Sequence, residues 1–355
     1  MHFYGILDRY IGKNIVVMVC LVAVCLTVFT GIITFIDKMR YIGRGDIDFL
    51  FVCKYVALLV PGFFVTFFPV AILIGGVIGL GGMARASEIV VLQSLGLSRI
   101  NISVSCVKSL LPLMALVMAI GEYVVPPMQQ YAENQYSVYA SKGKMSVSKS
   151  GIWLKESNSF IGIQVMLTDG TLVNVHRYDV QGDRLVAHSH AQSATYHNGM
   201  WQMKNVVTVH FGERIETERK AQEIWNLSLN PERIDVIGNT GNNLTIKGLY
   251  DYIDYTEKNG GDSASYRLEL YGKLMQPVIM IVMLFLALST VFGPLRSMSM
   301  GTRILSGITL GFGYYVLNQV VAPFSLVYGI PPLIGASMAS AVFGVLAVWL
   351  LRRRA

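Results

Sequence analysis

Apolar and polar positions divide the chain into three regimes. Unbroken apolar runs lie at Ile15–Ile36, Phe51–Leu80, Ile102–Val125, Leu274–Phe292, Ile304–Ala322 and Ile330–Leu351. A helix needs roughly 20 apolar residues to cross about 30 Å of hydrocarbon, so these runs predict six membrane spans. Between the third and fourth the pattern changes. From Gly151 to Leu229 apolar residues alternate with polar ones in FIGIQVML, TLVNVHRYDV, RLVAHSHAQSATY and MWQMKNVVTVHF. The breaks are Asp169–Gly170, Gln181-Gly-Asp and Asn198–Gly199, dipeptides and tripeptides that supply the positive φ of tight hairpins. The pattern predicts an antiparallel sheet, a sandwich or open jelly-roll. Thr245–Asn259, closed by Gly260–Gly261, reads as a helix returning the chain to the bilayer.

The third regime is the stretch ARASEIVVLQSLGLSR, Ala84–Arg99, between the second and third runs. Ser87 can cap a helix there and Gly96 can end it, leaving the eight residues Glu88–Leu95. Such a helix is about 12 Å long, too short to span. At 100° per residue Glu88, Val91, Leu92 and Leu95 share a face, so a carboxylate sits beside an apolar knob. A helix lying in the lipid interface favours Lys or Arg around its apolar face. A groove in a soluble protein would accept the knob and could pair a rim Arg or Lys with Glu88. Taken from its residues alone, the stretch fits an interfacial turn or such a docking element.

The resulting fold class is an α-helical integral membrane protein with six transmembrane helices and an inserted all-β, jelly-roll-like domain. Residues 1–125 hold spans one to three with the short helix at about 87–96, residues 126–265 the β-domain and return helix, and residues 266–355 spans four to six. Composition agrees: 53% of residues are hydrophobic and only 14% charged, a balance suited to lipid. The first run is too long for a signal-peptide core and no small-residue cleavage site follows it, so it reads as a retained span.

Charge adds an orientation. Arg9, Lys13, Arg85, Arg99, Arg296, Arg303, Arg352, Arg353 and Arg354 flank one side of the spans, nine in all, against Lys38, Arg40 and Arg44 on the other. The positive-inside rule then places both termini and Ala84–Arg99 in the cytoplasm and the β-domain outside. The net charge of +7 is explained by these flanks, without nucleic acid as a partner.

Candidate chemistry is sparse. No G-x-S-x-G, H-E-x-x-H or P-loop is present; GGVIGLGG at Gly75–Gly82 lacks the Lys-Ser/Thr of a nucleotide cradle and lies in a span. Gly75 with Gly79, and Gly307 with Gly311, have the spacing of close helix packing, within this chain or against a second subunit. The cysteines Cys20, Cys25, Cys53 and Cys106 lie in or beside spans, with none in the polar middle. His188 and His190 share a strand face, a possible metal pair that no Asp, Glu or Cys completes; a solvated sheet face accounts for them, and no metal or cofactor is expected. Asn226 and Asn243 match the glycosylation acceptor pattern. Lys54, Lys108, Glu122 and Lys273 lie near span ends, where snorkelling explains them. Lys38, Arg40 and Arg44 follow the first span, as interfacial anchors or as cations for the phosphates of an amphiphile.

Several segments together resemble one family: YGILDRYIGK (Tyr4–Lys13), Phe67-Phe-Pro, RASEIVVLQSLGLSR, AIGEYVVPP (Ala119–Pro127), FGPLRSMSMGTR (Phe292–Arg303) and VYGIPPLIGA (Val327–Ala336). They are similar to lipopolysaccharide export permeases of the LptF/LptG type, and within it to the LptG branch, over the whole chain. The resemblance implies a non-enzymatic half of an ABC transporter. One LptF and one LptG sit over an LptB ATPase dimer and extract lipopolysaccharide from the bacterial inner membrane. LptC adds a helix and a jelly-roll to a periplasmic bridge. Residue by residue, the resemblance implies ATPase coupling by Ser87, Glu88, Val91, Leu92, Leu95 and Gly96. It implies lipopolysaccharide contact by Lys38, Arg40 and Arg44, with acyl chains lined by Phe67 and Phe68. Relatives often carry lysine at the positions of Thr34 and Gly62; here both are uncharged, so phosphate contact leans on Lys38 and Arg40. Other classes remain open: a lipoprotein-releasing or peptide-export permease, or a membrane scaffold for a periplasmic partner.

Overall fold

A computed structural model describes residues 5–140, 244–258, 261–292 and 300–352, together with 152–225 apart from 157, 168–169, 183, 198 and 213–214. The glycosylation acceptors Asn226 and Asn243, and the cations Arg296, Arg353 and Arg354, lie outside the described residues.

Six helices are long and apolar enough to cross a membrane. They are carried by α1 (Ile6–Met39), α2 (Phe49–Arg85), α4 (Arg99–Ala119) continued through a π-helical turn (Ile120–Val124) into α5 (Val125–Ala140), α7 (Ala264–Phe292), α8 (Met300–Val327) and α9 (Pro332–Arg352). The short α3 (Glu88–Ser94) follows α2, and α6 (Ile246–Lys258) precedes α7. Six apolar runs thus become six candidate spans, as the sequence implies.

The chain folds as two compact units. The first comprises Met1–Thr34, Leu59–Val125 and Ala264–Ala355. Its core is a helix-to-helix cluster that includes Ile15, Val19, Phe68, Leu80, Met83, Met283 and Leu286. Glycine sets the closest approach: a Cβ on Gly75 would stand 2.6 Å from the Val19 Cα, a distance that real Cβ atoms do not adopt. On Gly311 it would come within 2.9 Å of Val70 Cγ1. Both small-residue pairs therefore bring α1 and α8 against α2 within one chain, as small residues do where apolar side chains gain nothing by leaving lipid.

The second unit comprises Phe35–Leu58 and Pro126–Ser263. It contains a six-stranded antiparallel sheet in the order β1 (Ile152–Glu156), β2 (Ser159–Met166), β3 (Leu172–Gln181), β4 (Arg184–His197), β5 (Met200–Phe211) and β6 (Ile215–Trp225). Gly170, Gly182 and Gly199 take positive φ at three hairpins, the turns the dipeptides require. A jelly-roll strand order needs long crossings between sheets. These short turns instead pair each described strand with its successor, an up-and-down order. Ile161, Ile163, Val175, Ala191, Trp201, Met203, Val206 and Trp225 build the buried face, against which Tyr255 of α6 packs. On the other face the Trp153 ring covers Gly162, where a Cβ would approach it to 3.2 Å.

Candidate functional site

Two places carry the candidate residues, one in each unit. The first is the turn from α2 through α3 into α4. Gly96 has φ +92°, and the amides of Gly96 and Leu97 donate to the carbonyls of Gln93 (3.0 Å) and Leu92 (3.2 Å). That pair of bonds is a Schellman closure, and it places apolar Leu97 against the core that holds Leu92. Gly96 thus ends the helix as its residue type implies. Ser87 does not cap it. Its φ is +60° and its hydroxyl makes no capping bond, because the corner between α2 and α3 is only Ala86–Ser87 and needs a left-handed residue to reverse direction. The cap expected at Ser87 is found one helix later, where the Ser98 hydroxyl accepts from the Asn101 amide at 3.1 Å.

The face of α3 is also shifted from the one spacing suggests. Leu92 and Ile89 turn into the core, while Val91 is 56% and Leu95 71% exposed, with Val90 exposed beside them. The knob offered to solvent is therefore Val90, Val91 and Leu95, and Leu92 anchors it from below. Glu88, at the rim, accepts a hydrogen bond from the Tyr10 hydroxyl at 3.0 Å. Asp8 accepts from the Ser105 hydroxyl of α4 and from the Gly5 amide at 3.1 Å. Seventy-eight residues separate Tyr10 from Glu88, so no local pattern could reveal the pair.

The second place is the C-terminal end of α1. Met39 is followed by a compact turn in which Gly43 has φ +86° and Gly45 φ +65°, and Asp48 then caps α2 by accepting from the Phe51 amide at 2.7 Å. The Asp46 amide donates to the Tyr139 carbonyl at 2.8 Å, fixing the turn to α5. The Lys38 ammonium lies 4.6, 5.2 and 5.6 Å from the ring centroids of Tyr136, Tyr55 and Tyr41. Three electron-rich faces around one ammonium make a cation–π cage. Arg44 lies over Tyr41 at 5.3 Å. Lys38 is half-buried, while Arg40 and Arg44 are exposed. Sequence reasoning missed all three tyrosines; Tyr136 lies in α5, far along the chain, and only its aromatic neighbours Tyr131 and Tyr139 hint at a cluster.

The remaining candidates separate. Phe68 is wholly buried in the helical core and presents no surface to an acyl chain; Phe67 is half-buried and stacks on Tyr315 at 5.6 Å. Thr34 is half-buried and Gly62 buried. Glu122 and Lys273, expected to snorkel, instead face each other at 3.9 Å beside the π-helical turn. On the sheet, His176 Nδ1 lies 3.2 Å from His188 Nε2, and His190 stands opposite His176 in the register. Burial first, and then the neighbouring imidazoles, hold both His176 and His188 below the ordinary histidine range. Among the described residues, no group of three or more His, Cys, Asp or Glu is arranged to hold a metal ion.

Comparison with known proteins places this arrangement in a family. A family model described as lipopolysaccharide export system permease LptF/LptG matches residues 9–353. The chain belongs to that family. It is 36% identical to the lipopolysaccharide export system permease protein LptG of Escherichia coli K12 over 359 residues, all of both chains. It is 35% identical to the LptG of Haemophilus influenzae over 352 residues, 98% of each. This LptF/LptG family member is a multi-pass membrane protein whose chain carries an antiparallel β-domain inserted between its third and fourth candidate spans.

Proposed function

We propose that this chain is one transmembrane subunit of an ABC transporter that exports lipopolysaccharide. It pairs with LptF over a dimer of the LptB ATPase and works with LptC. It lies in the bacterial inner membrane with both termini cytoplasmic and the β-domain periplasmic. Full-length membership of the LptF/LptG family carries this reading. The chain supplies no nucleotide cradle of its own, so the work of ATP reaches it from outside.

The exposed Val90–Val91–Leu95 knob, with Glu88 at its rim, suits a groove in the ATPase. Apolar burial would supply affinity there, and a cation beside Glu88 would set register. Closure of the ATPase dimer on ATP then pushes α3, and the push passes through the Leu92 and Ile89 anchors into the helical core. At the outer side, Arg40 and Arg44 are placed to meet lipid phosphate as diffuse or bidentate donors. Lys38 serves there mainly by fixing the turn that presents them. The β-domain receives the lipid and hands it to a periplasmic partner through a strand edge. The test is reconstitution of the chain with LptF, LptC and LptB in proteoliposomes. ATP-dependent transfer of lipopolysaccharide to a periplasmic acceptor supports the reading; a complex that hydrolyses ATP yet moves no lipopolysaccharide would refute it.

A further inference from the structure

The first turns of α1 touch both arms of the α3–α4 hairpin, and do so through polar side chains. Asp8 takes the Ser105 hydroxyl of α4, and the Ser109 hydroxyl donates to the Asp8 carbonyl at 3.4 Å. Gly12 lies so close to α4 that a Cβ would overlap the Ser109 side chain. Ile11 and Ile15 are buried in the same core. These contacts fix the start of α1, and with it the direction in which Tyr10 leaves the helix. Two residues on from Asp8, Tyr10 points to a different side of α1 and its hydroxyl donates to Glu88 Oε2 at 3.0 Å.

The bond leaves Glu88 with acceptor sites to spare. A carboxylate has two oxygens and about four acceptor sites, and the hydroxyl occupies one of them. What the bond removes is rotamer freedom: a free glutamate samples several staggered wells, whereas one tethered to a fixed tyrosine keeps its second oxygen in one direction. Prior ordering of this kind improves a later contact by lowering the entropy lost in forming it.

We infer that Tyr10 is a positioning residue for coupling: it holds the Glu88 carboxylate in the orientation in which α3 meets a cationic group on the ATPase. The inference rests on the proposed role of α3. It adds that the start of the first span reports directly on the docking carboxylate, so that α1 and α3 move together in response to nucleotide.

The test uses the full transporter in nanodiscs, with the purified ATPase titrated onto the membrane subunits. Four proteins are compared: wild type, Tyr10→Phe, Glu88→Ala and the double variant. Phenylalanine keeps the ring and loses only the hydroxyl. A partly exposed hydrogen bond of this type is worth a factor of about two to five in affinity. Tyr10→Phe should therefore weaken ATPase binding by about two- to five-fold in the wild-type background and not at all in the Glu88→Ala background. A purely structural tyrosine would cost the same in both backgrounds, and that result overturns the inference. So does wild-type binding by Tyr10→Phe alongside weak binding by Glu88→Ala, an outcome that leaves the coupling role of α3 standing. Wild-type binding by Glu88→Ala removes the coupling role itself and the inference with it.

Discussion

Lys38 and Tyr136 meet with the ammonium 4.6 Å from the ring centroid, and Tyr55 and Tyr41 complete the enclosure. A cation so placed is part of the architecture at the C-terminal end of α1, whereas Arg40, two residues on, is exposed. The two cations therefore separate in experiment. Arg40→Glu should reduce lipopolysaccharide crosslinking, and more strongly at low salt, since exposed charges act within a Debye length of about 10 Å at 0.1 M. Lys38→Met should destabilise the turn by about 1 kcal/mol through loss of the cage, with a smaller effect on crosslinking than Arg40→Glu. Reversing both charges, Lys38→Glu with Arg40→Glu, should weaken crosslinking while membrane insertion is kept. Unchanged crosslinking in that double variant would remove the phosphate role.

The paired imidazoles of His176 and His188 give the β-domain an acid-sensitive seam. Both groups titrate below the ordinary value near 6.5 in the folded chain. In the unfolded chain they would take up protons first as pH falls. Stability is therefore unaffected by them above about pH 6.5 and declines as pH drops through the lowered folded values. Amide protection factors in β3 and β4 of the full-length protein, with the intrinsic exchange rate at each pH divided out, should be lower at pH 5 than at pH 7. His176→Gln combined with His188→Gln should abolish most of that difference. An equal acid loss of protection in the double variant would place the sensitivity elsewhere.

The sheet leaves β1 and β6 unpaired at its described edges. Of the two, β6 is longer and nearly all exposed, with Ile215 and Ile224 bare, and its charged residues discourage chance pairing while allowing a matched partner strand. Successive amides in a strand point alternately inward and outward. Of Glu218→Pro and Arg219→Pro, the one whose amide points outward should stop export while the sheet remains folded. His188→Gln with His190→Gln should leave export intact. An export-defective histidine variant with a folded domain would revive a metal role, and export by both proline variants would exclude β6 as the docking edge.

Much of the fold was legible because membrane spans and strands differ in hydrophobic period. Six apolar runs gave six candidate spans, and turn glycines 170, 182 and 199 marked hairpins. Less legible was any feature decided by a tight corner or by distant residues. Ser87 has the residue type of a cap, and only the left-handed backbone at the α2–α3 corner excludes it, while the cap that forms, Ser98, was not read from the sequence. Leu92 lies near the boundary of the α3 face, so packing below the helix chose its side. The Lys38 cage, the Tyr10–Glu88 bond and the Glu122–Lys273 pair each join residues from separate helices, which no periodicity records. Phe68 faces the core and Phe67 the Tyr315 ring, a difference of one position that a wholly apolar helix conceals.

The central claim is that α3 carries the work of the ATPase into the membrane. Reversing the Glu88 charge while keeping a long flexible side chain tests it most directly, because like charges across a docking groove repel. ATP-driven lipopolysaccharide release should be measured in proteoliposomes holding the complete transporter with Glu88→Lys at wild-type abundance. The account predicts that release is lost or severely reduced, and partly restored when an acidic residue replaces the facing cation of the ATPase groove. Full release by Glu88→Lys at normal abundance would contradict it.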